Sequence, residues 1–277
     1  MLTENGIILG SEKDEVIFGV GKGRPLGKVF QRVGKRELVE LLIIGVAFLL
    51  YFLVRGNVVD RTSDAFGRSI QVIQLERNLG IFWEAEIQAL ILGKKFLIQL
   101  FNGIYFWLDF PLIIAVGLWL YFLNRRNYTL IRTAMLASGA ISLIIYGLFP
   151  VAPPRFLPQW GFVDTMALYS NVSYQAQSLQ PFVNPFAAVP SLHFGWAVLL
   201  ALGLIWATKR VVLRAVAALL PLAQLAAIVF TANHYFFDAI VGLAVGLVGL
   251  VIALWLYKWE LYLWGRFFPE TRNVETA

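Results

Sequence analysis

The sequence predicts an all-α integral membrane protein. It would be a bundle of six transmembrane helices, with interfacial helices before the second span and a long outer loop between the third and fourth. Three observations predict this class. Hydrophobic residues make up 59% of the 277 residues and charged residues only 14%, against about 25% charged in soluble domains. Mean hydropathy is +0.71, and the apolar residues gather in six stretches close to the roughly 20 residues that cross a bilayer.

The six stretches define a membrane domain with a tail on either side. The predicted spans are 38–54, 96–123, 130–149, 192–207, 211–230 and 239–257. The second span is interrupted by Asn102, Asp109 and Pro111, and proline removes a backbone donor and clashes with the preceding turn, so we expect a tilted or kinked helix there. The six-span membrane domain is then 38–258, with tails at 1–37 and 259–277.

The basic residues predict the orientation of the bundle. Six spans place both tails on one side, together with the connections 124–132 and 208–214. Sixteen of the 23 Lys and Arg residues lie on that side and seven on the other. The positive-inside rule therefore predicts cytoplasmic tails and an extracytoplasmic or lumenal position for His193 and His234. It also accounts for the net charge of +6 without a nucleic-acid partner, and the first span is expected to be an uncleaved anchor.

Two segments between the predicted spans contain too many apolar residues to be plain polar loops. In 60–92, Phe66, Ile70 and Ile73 recur at helical spacing, which predicts one or two helices lying in the membrane interface. These helices would either cover the bundle or help to admit and bind a lipid substrate. The 41-residue segment 150–190 holds seven of the eleven prolines together with several aromatic residues. A loop of this length is usually functional or disordered, and its aromatic content favours a segment folded onto the membrane surface.

The chain has two histidines and no cysteine, so thiol chemistry and disulfides are excluded. His193 follows Ser191 and Leu192 at the predicted start of the fourth span. Ser191 is a candidate N-cap whose hydroxyl would accept a backbone N–H, and the first-turn N–H groups, including that of Leu192, form a potential phosphate site.

The second histidine carries a carboxylate partner. His234 and Asp238 are four residues apart, which predicts that they share a helix face and that Asp238 fixes the tautomer of His234. Arg155 is the one basic residue in the long loop and could hold phosphate oxygens with its guanidinium fork. Gly242 and Gly246 would permit close helix approach and bring His234 near the start of the fourth span.

Three segments together resemble the type-2 phosphatidic acid phosphatase superfamily, closest to its inositol phosphorylceramide synthase-like branch. They are VAPPRF at 151–156, PSLHFG at 190–195 and HYFFD at 234–238. The resemblance covers roughly 60–258 and includes the stretch around Glu76 and Gly80 and the GFVDT segment at 161–165.

The resemblance implies a mechanism without metal or other cofactor. His234 would attack a lipid phosphate to give a phosphohistidine, Asp238 would orient it, and His193 would protonate the leaving alkoxide. Water or a hydroxyl of a second lipid or polyol would then take the phosphoryl group. The candidates for substrate contact or for support of the catalytic residues are Asp109, Asp164, Asn184 and Tyr235.

The chain departs from the family pattern at three places. The first motif of the family, a Lys followed six residues later by Arg-Pro, is absent. Arg155 is the candidate substitute for the arginine of that motif. The arginine expected six residues before His234 is Ile228, and Asp109 stands where many relatives have histidine. Fewer cationic ligands favour a phosphodiester donor over a simple phosphomonoester.

Three alternatives remain at the level of sequence. The first is a simple lipid phosphate or isoprenyl diphosphate phosphatase. The second is a proton-coupled transporter using Asp109 with the His/Asp pair, because intramembrane ionisable groups often form relays. The third is a metal site formed by His193, His234 and Asp238 as a two-histidine, one-carboxylate set.

Overall fold

The computed structural model describes residues 35–56, 61–169 and 185–267. Within these residues the fold is helical, as predicted, and contains no strand, only an isolated bridge between Val151 and Ala187. The helices are α1 Lys35–Gly56, α2 Thr62–Asn78, α3 Glu84–Ala89, α4 Lys95–Trp107, α5 Phe110–Leu123, α6 Arg125–Leu148, α7 Thr165–Tyr169, α8 Leu192–Ala207, α9 Val211–Phe230 and α10 Phe236–Phe267.

Three described helices are long and apolar enough to cross a membrane: α6, α9 and the Phe236–Tyr257 part of α10. A fourth candidate is the pair α4 and α5, which is bent by 45° at a short break. The predicted kink in this span is therefore present, and Asp109 lies at the break. Helix α8 is apolar but has only 16 residues. The described residues thus contain three or four candidate spans, and the full count of six stays a prediction.

Large apolar side chains on the outside of the bundle fit a lipid environment. Leu219 and Leu222 of α9 are 59% and 61% exposed, and Val251 and Trp255 of α10 are 65% and 70% exposed. Exposed apolar side chains in such numbers are the mark of a surface that lipid or protein covers. The apolar helices therefore describe a membrane protein.

Two helices extend beyond the predicted spans. Helix α6 begins five residues early because the side chain of Asn124 accepts a hydrogen bond from the Asn127 backbone N–H, at 3.1 Å. Helix α10 begins at Phe236 rather than 239 and continues to Phe267, past the predicted end of the membrane domain. Residues 1–34 and 268–277 of the two predicted tails lie outside the described residues.

The segment before the second span folds into α2 and α3, where interfacial helices are predicted. The buried face of α2 differs from the predicted one. Ile73 is buried, but Ile70 is 37% exposed, and the buried positions include the polar Ser69 and Glu76. The reason is that α2 packs beneath the long loop, where polar groups find partners: the Ser69 hydroxyl donates to the Ala152 carbonyl at 2.9 Å.

The described part of the long loop is folded against α2, α3 and α4. The Gln88 amide of α3 pairs with both backbone groups of Val163, at 2.8 and 3.0 Å. The Asn102 amide of α4 donates to the Thr165 carbonyl at 3.0 Å and accepts from the Thr165 hydroxyl. These bonds hold the loop over the end of the bundle where both histidines lie.

Glycine brings α8 and α10 into backbone contact, as predicted. A Cβ on Gly242 would overlap the carbonyl oxygen of Ser191, and a Cβ on Gly195 would overlap the carbonyl oxygen of Gly242. The Ser191 N–H donates to the Asp238 carbonyl at 2.9 Å. The N-terminal ends of the two helices therefore lie side by side, which places the PSLH and HYFFD segments together.

Candidate active site

His234 lies in the turn between α9 and α10. The N–H groups of Asn233 and His234 both donate to the Ile228 carbonyl, at 2.9 and 3.2 Å, and Ala232 has a φ of 52°. Helix α10 begins two residues after His234. The prediction that His234 and Asp238 share a helix face is therefore wrong, because the chain turns before the helix starts.

The two side chains nevertheless meet, because Asp238 lies in the first turn of α10 and points back along the chain. Its Oδ2 accepts the Tyr235 N–H at 2.9 Å, which is the reciprocal half of a capping box. The same oxygen lies 3.2 Å from His234 Nδ1. The Ala188 carbonyl lies 2.9 Å from that nitrogen. Two acceptors at Nδ1 fix the proton there, so Nε2 carries the lone pair.

His193 faces the free nitrogen of His234. Its Nδ1 lies 3.4 Å from His234 Nε2, and its Nε2 lies 3.3 Å from Asp109 Oδ2. The Tyr105 ring stacks on the His193 ring with centroids 4.5 Å apart. The result is a row of four groups, Asp109, His193, His234 and Asp238, in which each histidine has a carboxylate on its far side.

The environment of His234 favours the neutral imidazole. Its side chain is only 6% exposed. Burial, followed by the charges of His193 and Arg155, holds the pKa of His234 well below its ordinary value, although the hydrogen bond to Ala188 acts in the opposite direction. A neutral ring with an unprotonated Nε2 is the form that can act as a nucleophile.

The N-terminus of α8 differs in one detail from the prediction. Ser191 is the N-cap residue, but its hydroxyl makes no capping hydrogen bond. The hydroxyl is buried and has no partner among the described residues. Its backbone carbonyl starts the helix instead, accepting from Gly195 N–H at 3.1 Å. Leu192 and His193 line the cavity, so the first turn of the helix faces it.

Arg155 reaches the cavity from the long loop and is held there. Its Nη1 donates to the Asn233 side-chain oxygen, and its Nε lies 3.7 Å from Asp164 Oδ2. Its backbone N–H donates to the Ala232 carbonyl at 2.8 Å. Arg155 is thereby fixed to the same turn that carries His234, in the position of a guanidinium that could bind a phosphate oxygen.

The cavity between these groups has a volume of about 80 Å³. It brings together five of the predicted site residues, which line its wall: Asp109, Arg155, Leu192, His193 and His234. Asp238 stands behind His234, and Asp164 stands behind Arg155. Tyr235 is completely buried in the apolar cluster under the loop, so it supports the site from below. Asn184 lies outside the described residues.

The structure adds residues that the sequence reasoning did not single out. Asn233 lines the cavity, orients Arg155 and donates to Thr231 Oγ1 at 2.6 Å. Tyr105 stacks on His193, and the Tyr146 hydroxyl donates to the Pro190 carbonyl at 2.8 Å. The sequence could have indicated two of these residues, because Asn233 directly precedes His234 and Tyr105 lies one helical turn before Asp109. Ile228 is fully buried and contributes only its backbone carbonyl to the turn.

A buried histidine and carboxylate pair thus faces a second histidine at one end of the apolar helical bundle of a membrane protein. The model of the PAP2 superfamily matches residues 70–252 of this chain, two thirds of its length. The protein therefore belongs to the PAP2 superfamily. Comparison with curated proteins and with solved structures finds no match to this chain.

Proposed function

We propose that this protein moves a phosphoryl group from a lipid phosphate, through a phosphohistidine on His234, at the extracytoplasmic or lumenal face of the membrane. The supporting observation is the state of His234, whose Nδ1 faces two acceptors while its Nε2 points at His193. An imidazole held in this tautomer is an activated nucleophile. The side of the membrane is the one that the distribution of Lys and Arg favours.

In the first step His234 Nε2 attacks phosphorus, and the bond from phosphorus to the lipid oxygen breaks. The leaving oxygen takes a proton from His193, which stands 3.4 Å from His234 Nε2. A phosphate must enter between the two rings, because reacting atoms approach to about 3–3.5 Å, so His193 moves aside as substrate binds. Arg155 and the first turn of α8 stabilise the phosphate oxygens.

In the second step the oxygen of water or of an alcohol attacks the phosphohistidine. His193, now neutral, takes the proton of the incoming hydroxyl, and the bond from phosphorus to His234 breaks. Both histidines return to their starting forms, so the cycle is balanced. Asp109 Oδ2 lies 3.3 Å from His193 Nε2, where it can accept the proton of that nitrogen and direct Nδ1 at the reacting oxygen.

The arrangement of the ligands disfavours the alternative of a metal site formed by the two histidines and Asp238. Asp238 faces Nδ1 of His234, whereas His193 faces Nε2 on the other edge of the ring. Three ligands so placed do not converge on one ion. No group of three or more His, Cys, Asp or Glu residues with metal-binding geometry occurs in the described part of the chain.

Transfer to a second alcohol, of the inositolphosphotransferase type, is the finer form of the proposal. It rests on the resemblance of the PSLH and HYFFD segments and on the charge of the cavity. Arg155 is the one Lys or Arg side chain among the described residues that line it, and the Asp109 carboxylate faces it too. A cavity with so little positive charge suits a singly charged phosphodiester better than a doubly charged phosphomonoester.

A substrate panel tests the function. Purified protein in mixed micelles would receive phosphatidic acid, an isoprenyl diphosphate or phosphatidylinositol, with and without an alcohol acceptor and with and without chelator. We expect turnover of at least one lipid in the presence of chelator. Headgroup transfer to the acceptor would identify a transferase, and release of inorganic phosphate alone would identify a hydrolase. Inactivity with all lipids, combined with lipid or proton flux through liposomes, would favour the transporter instead.

Arg155 provides a prediction about phosphate binding. Arg155→Ala should lower kcat/KM by about 100-fold, because removing one donor to a developing oxyanion has effects of this size. Arg155→Lys should recover only part of the loss, since lysine keeps the charge but not the planar fork. Steady-state kinetics on the active lipid would measure both. Arg214→Ala, at an exposed position at the start of α9, is the control, and equal losses for Arg155 and Arg214 would contradict this role.

A further inference from the structure

The first turn of α10, directly after His234, is capped by three carboxyl groups. Asp238 accepts the Tyr235 N–H at 2.9 Å. Glu84 Oε1 accepts the Phe236 N–H at 2.8 Å, and Glu76 Oε1 accepts the Phe237 N–H at 2.7 Å. The two glutamates come from α3 and α2, more than 150 residues earlier. The free N–H groups at the start of a helix need acceptors, and here three of them are satisfied by three separate acids.

The other oxygens of the two glutamates have no such partners. Glu76 and Glu84 are both completely buried, and the Oε2 atom of each has no hydrogen-bond donor among the described residues. An ionised carboxylate can only accept hydrogen bonds. Two buried ionised carboxylates side by side would therefore repel each other with two oxygens unsatisfied. The N–H groups that the two acids bind belong to neighbouring residues, so one proton shared between the acids would satisfy both oxygens.

We propose that Glu76 and Glu84 share one proton, with Glu76 as the protonated member, and act as positioning residues that hold the His234 segment for phosphoryl transfer. Glu76 then donates to Glu84, and both keep an oxygen on the backbone of α10. This inference rests on the proposed function of His234 for its catalytic consequence. The shared proton rests on the burial of both acids, their bonds to neighbouring N–H groups and their two unsatisfied oxygens, and its place on Glu76 rests on the electrostatic surroundings.

The electrostatic surroundings of the pair agree with this assignment. Burial, followed by the charge of Glu84, raises the pKa of Glu76 to about 9, and burial also raises the pKa of Glu84. The other titratable groups that act on the pair from α10 and the preceding turn are Asp238 and the Tyr235 hydroxyl. Negative charge on Asp238 would act on the pKa of Glu76 in the same direction as that on Glu84.

The direction of the pH dependence follows from the raised pKa. A carboxyl group that binds its proton more tightly in the folded state contributes stability that is complete below its ordinary pKa and is lost as pH rises through the folded value. For Glu76 that value is about 9. Above it, a second negative charge appears beneath the first turn of α10. We therefore expect the structure around His234 to loosen, and kcat to fall, as pH rises through about 9.

Glu76→Gln is the main variant, because an amide is the permanent counterpart of the protonated acid. Its oxygen still accepts the Phe237 N–H, and its NH2 group donates to Glu84. At neutral pH kcat should stay within about threefold of the wild type, and the fall of kcat at alkaline pH should be absent. Glu76→Ala should lose about 100-fold in kcat, the effect of an ångström-scale displacement of a reacting group. Glu86→Gln, an exposed glutamate on α3, is the matched control.

Infrared spectroscopy tests the shared proton without any substrate. Wild-type protein at neutral pH should show the carbonyl band of a buried protonated carboxylic acid, which disappears above the alkaline transition and is absent in Glu76→Gln but present in Glu86→Gln. Lack of this band in the wild type, or the same alkaline fall of kcat in Glu76→Gln, would overturn the proposal. If no lipid is turned over, the proposed function fails while the infrared result still decides the state of the pair.

Discussion

Replacing His234 by alanine should abolish phosphoenzyme formation and lower turnover by at least about 10⁴-fold, as removal of a nucleophile does in other enzymes that use a covalent intermediate. The reason is the position of Nε2, the one ring nitrogen not bound to Ala188 and Asp238. Rapid alkaline quenching after addition of ³²P-labelled lipid phosphate would trap the phosphohistidine, which is stable in alkali and labile in acid. Peptide mapping under alkaline conditions would then locate the label.

His193→Ala is the comparison that separates the two histidines. Loss of the acid should slow the first step with an ordinary lipid alcohol as leaving group. It should have a much smaller effect with a nitrophenyl phosphate ester, whose leaving group needs no proton. His234→Ala should be inactive with both substrates. A phosphoenzyme in His234→Ala, or equal losses with both substrates in His193→Ala, would contradict the assigned roles.

The predictability of the fold varied with the kind of signal. The bounds of α8 and α9 agree with the predicted spans, because Ser191 and Arg210 mark abrupt changes from polar to apolar sequence. The predicted start of the last span, residue 239, is three residues later than the start of α10 at Phe236, because the charged Asp238 marks the edge of the apolar stretch. Asp238 belongs to the helix since its carboxylate caps the first turn. A charged residue at the edge of an apolar stretch can thus lie inside the helix and accept a hydrogen bond from a backbone N–H of its first turn.

The site was predictable where chemistry and spacing coincided. The histidines, Asp238 and Arg155 carry groups that react or bind phosphate, and the glycines of α10 indicated which helix ends would meet. The buried face of α2 was not predictable, since the hydrophobic spacing around Ile70 gave no sign that Glu76 would be enclosed. Its partners, Glu84 and the backbone of Phe237, come together only in the tertiary structure.

Gly242→Ala should be the most damaging substitution away from the reacting groups. The added methyl would overlap the Ser191 carbonyl oxygen and lie 2.9 Å from its carbon. Backbone atoms cannot move aside as a flexible side chain can, so α8 and α10 must separate. The separation breaks the bond from Ser191 N–H to the Asp238 carbonyl and draws His193 away from His234. Overpacking of this kind costs about 1–3 kcal/mol or more.

Kinetics and thermal unfolding in detergent should distinguish displacement of the site from global unfolding. In protein that remains folded, kcat should fall by about 100-fold. Gly246→Ala, one turn further along α10, meets the Gly195 carbonyl oxygen at 3.3 Å and should be mild, and Gly117→Ala, with no atom within 4 Å, is the neutral control. Gly195→Ala places a methyl against the Gly242 carbonyl oxygen and would separate the same two helix ends from the α8 side. The double variant with Gly242→Ala should therefore lose less than the sum of the two. Wild-type kcat in Gly242→Ala would show that catalysis does not need these helix ends in contact.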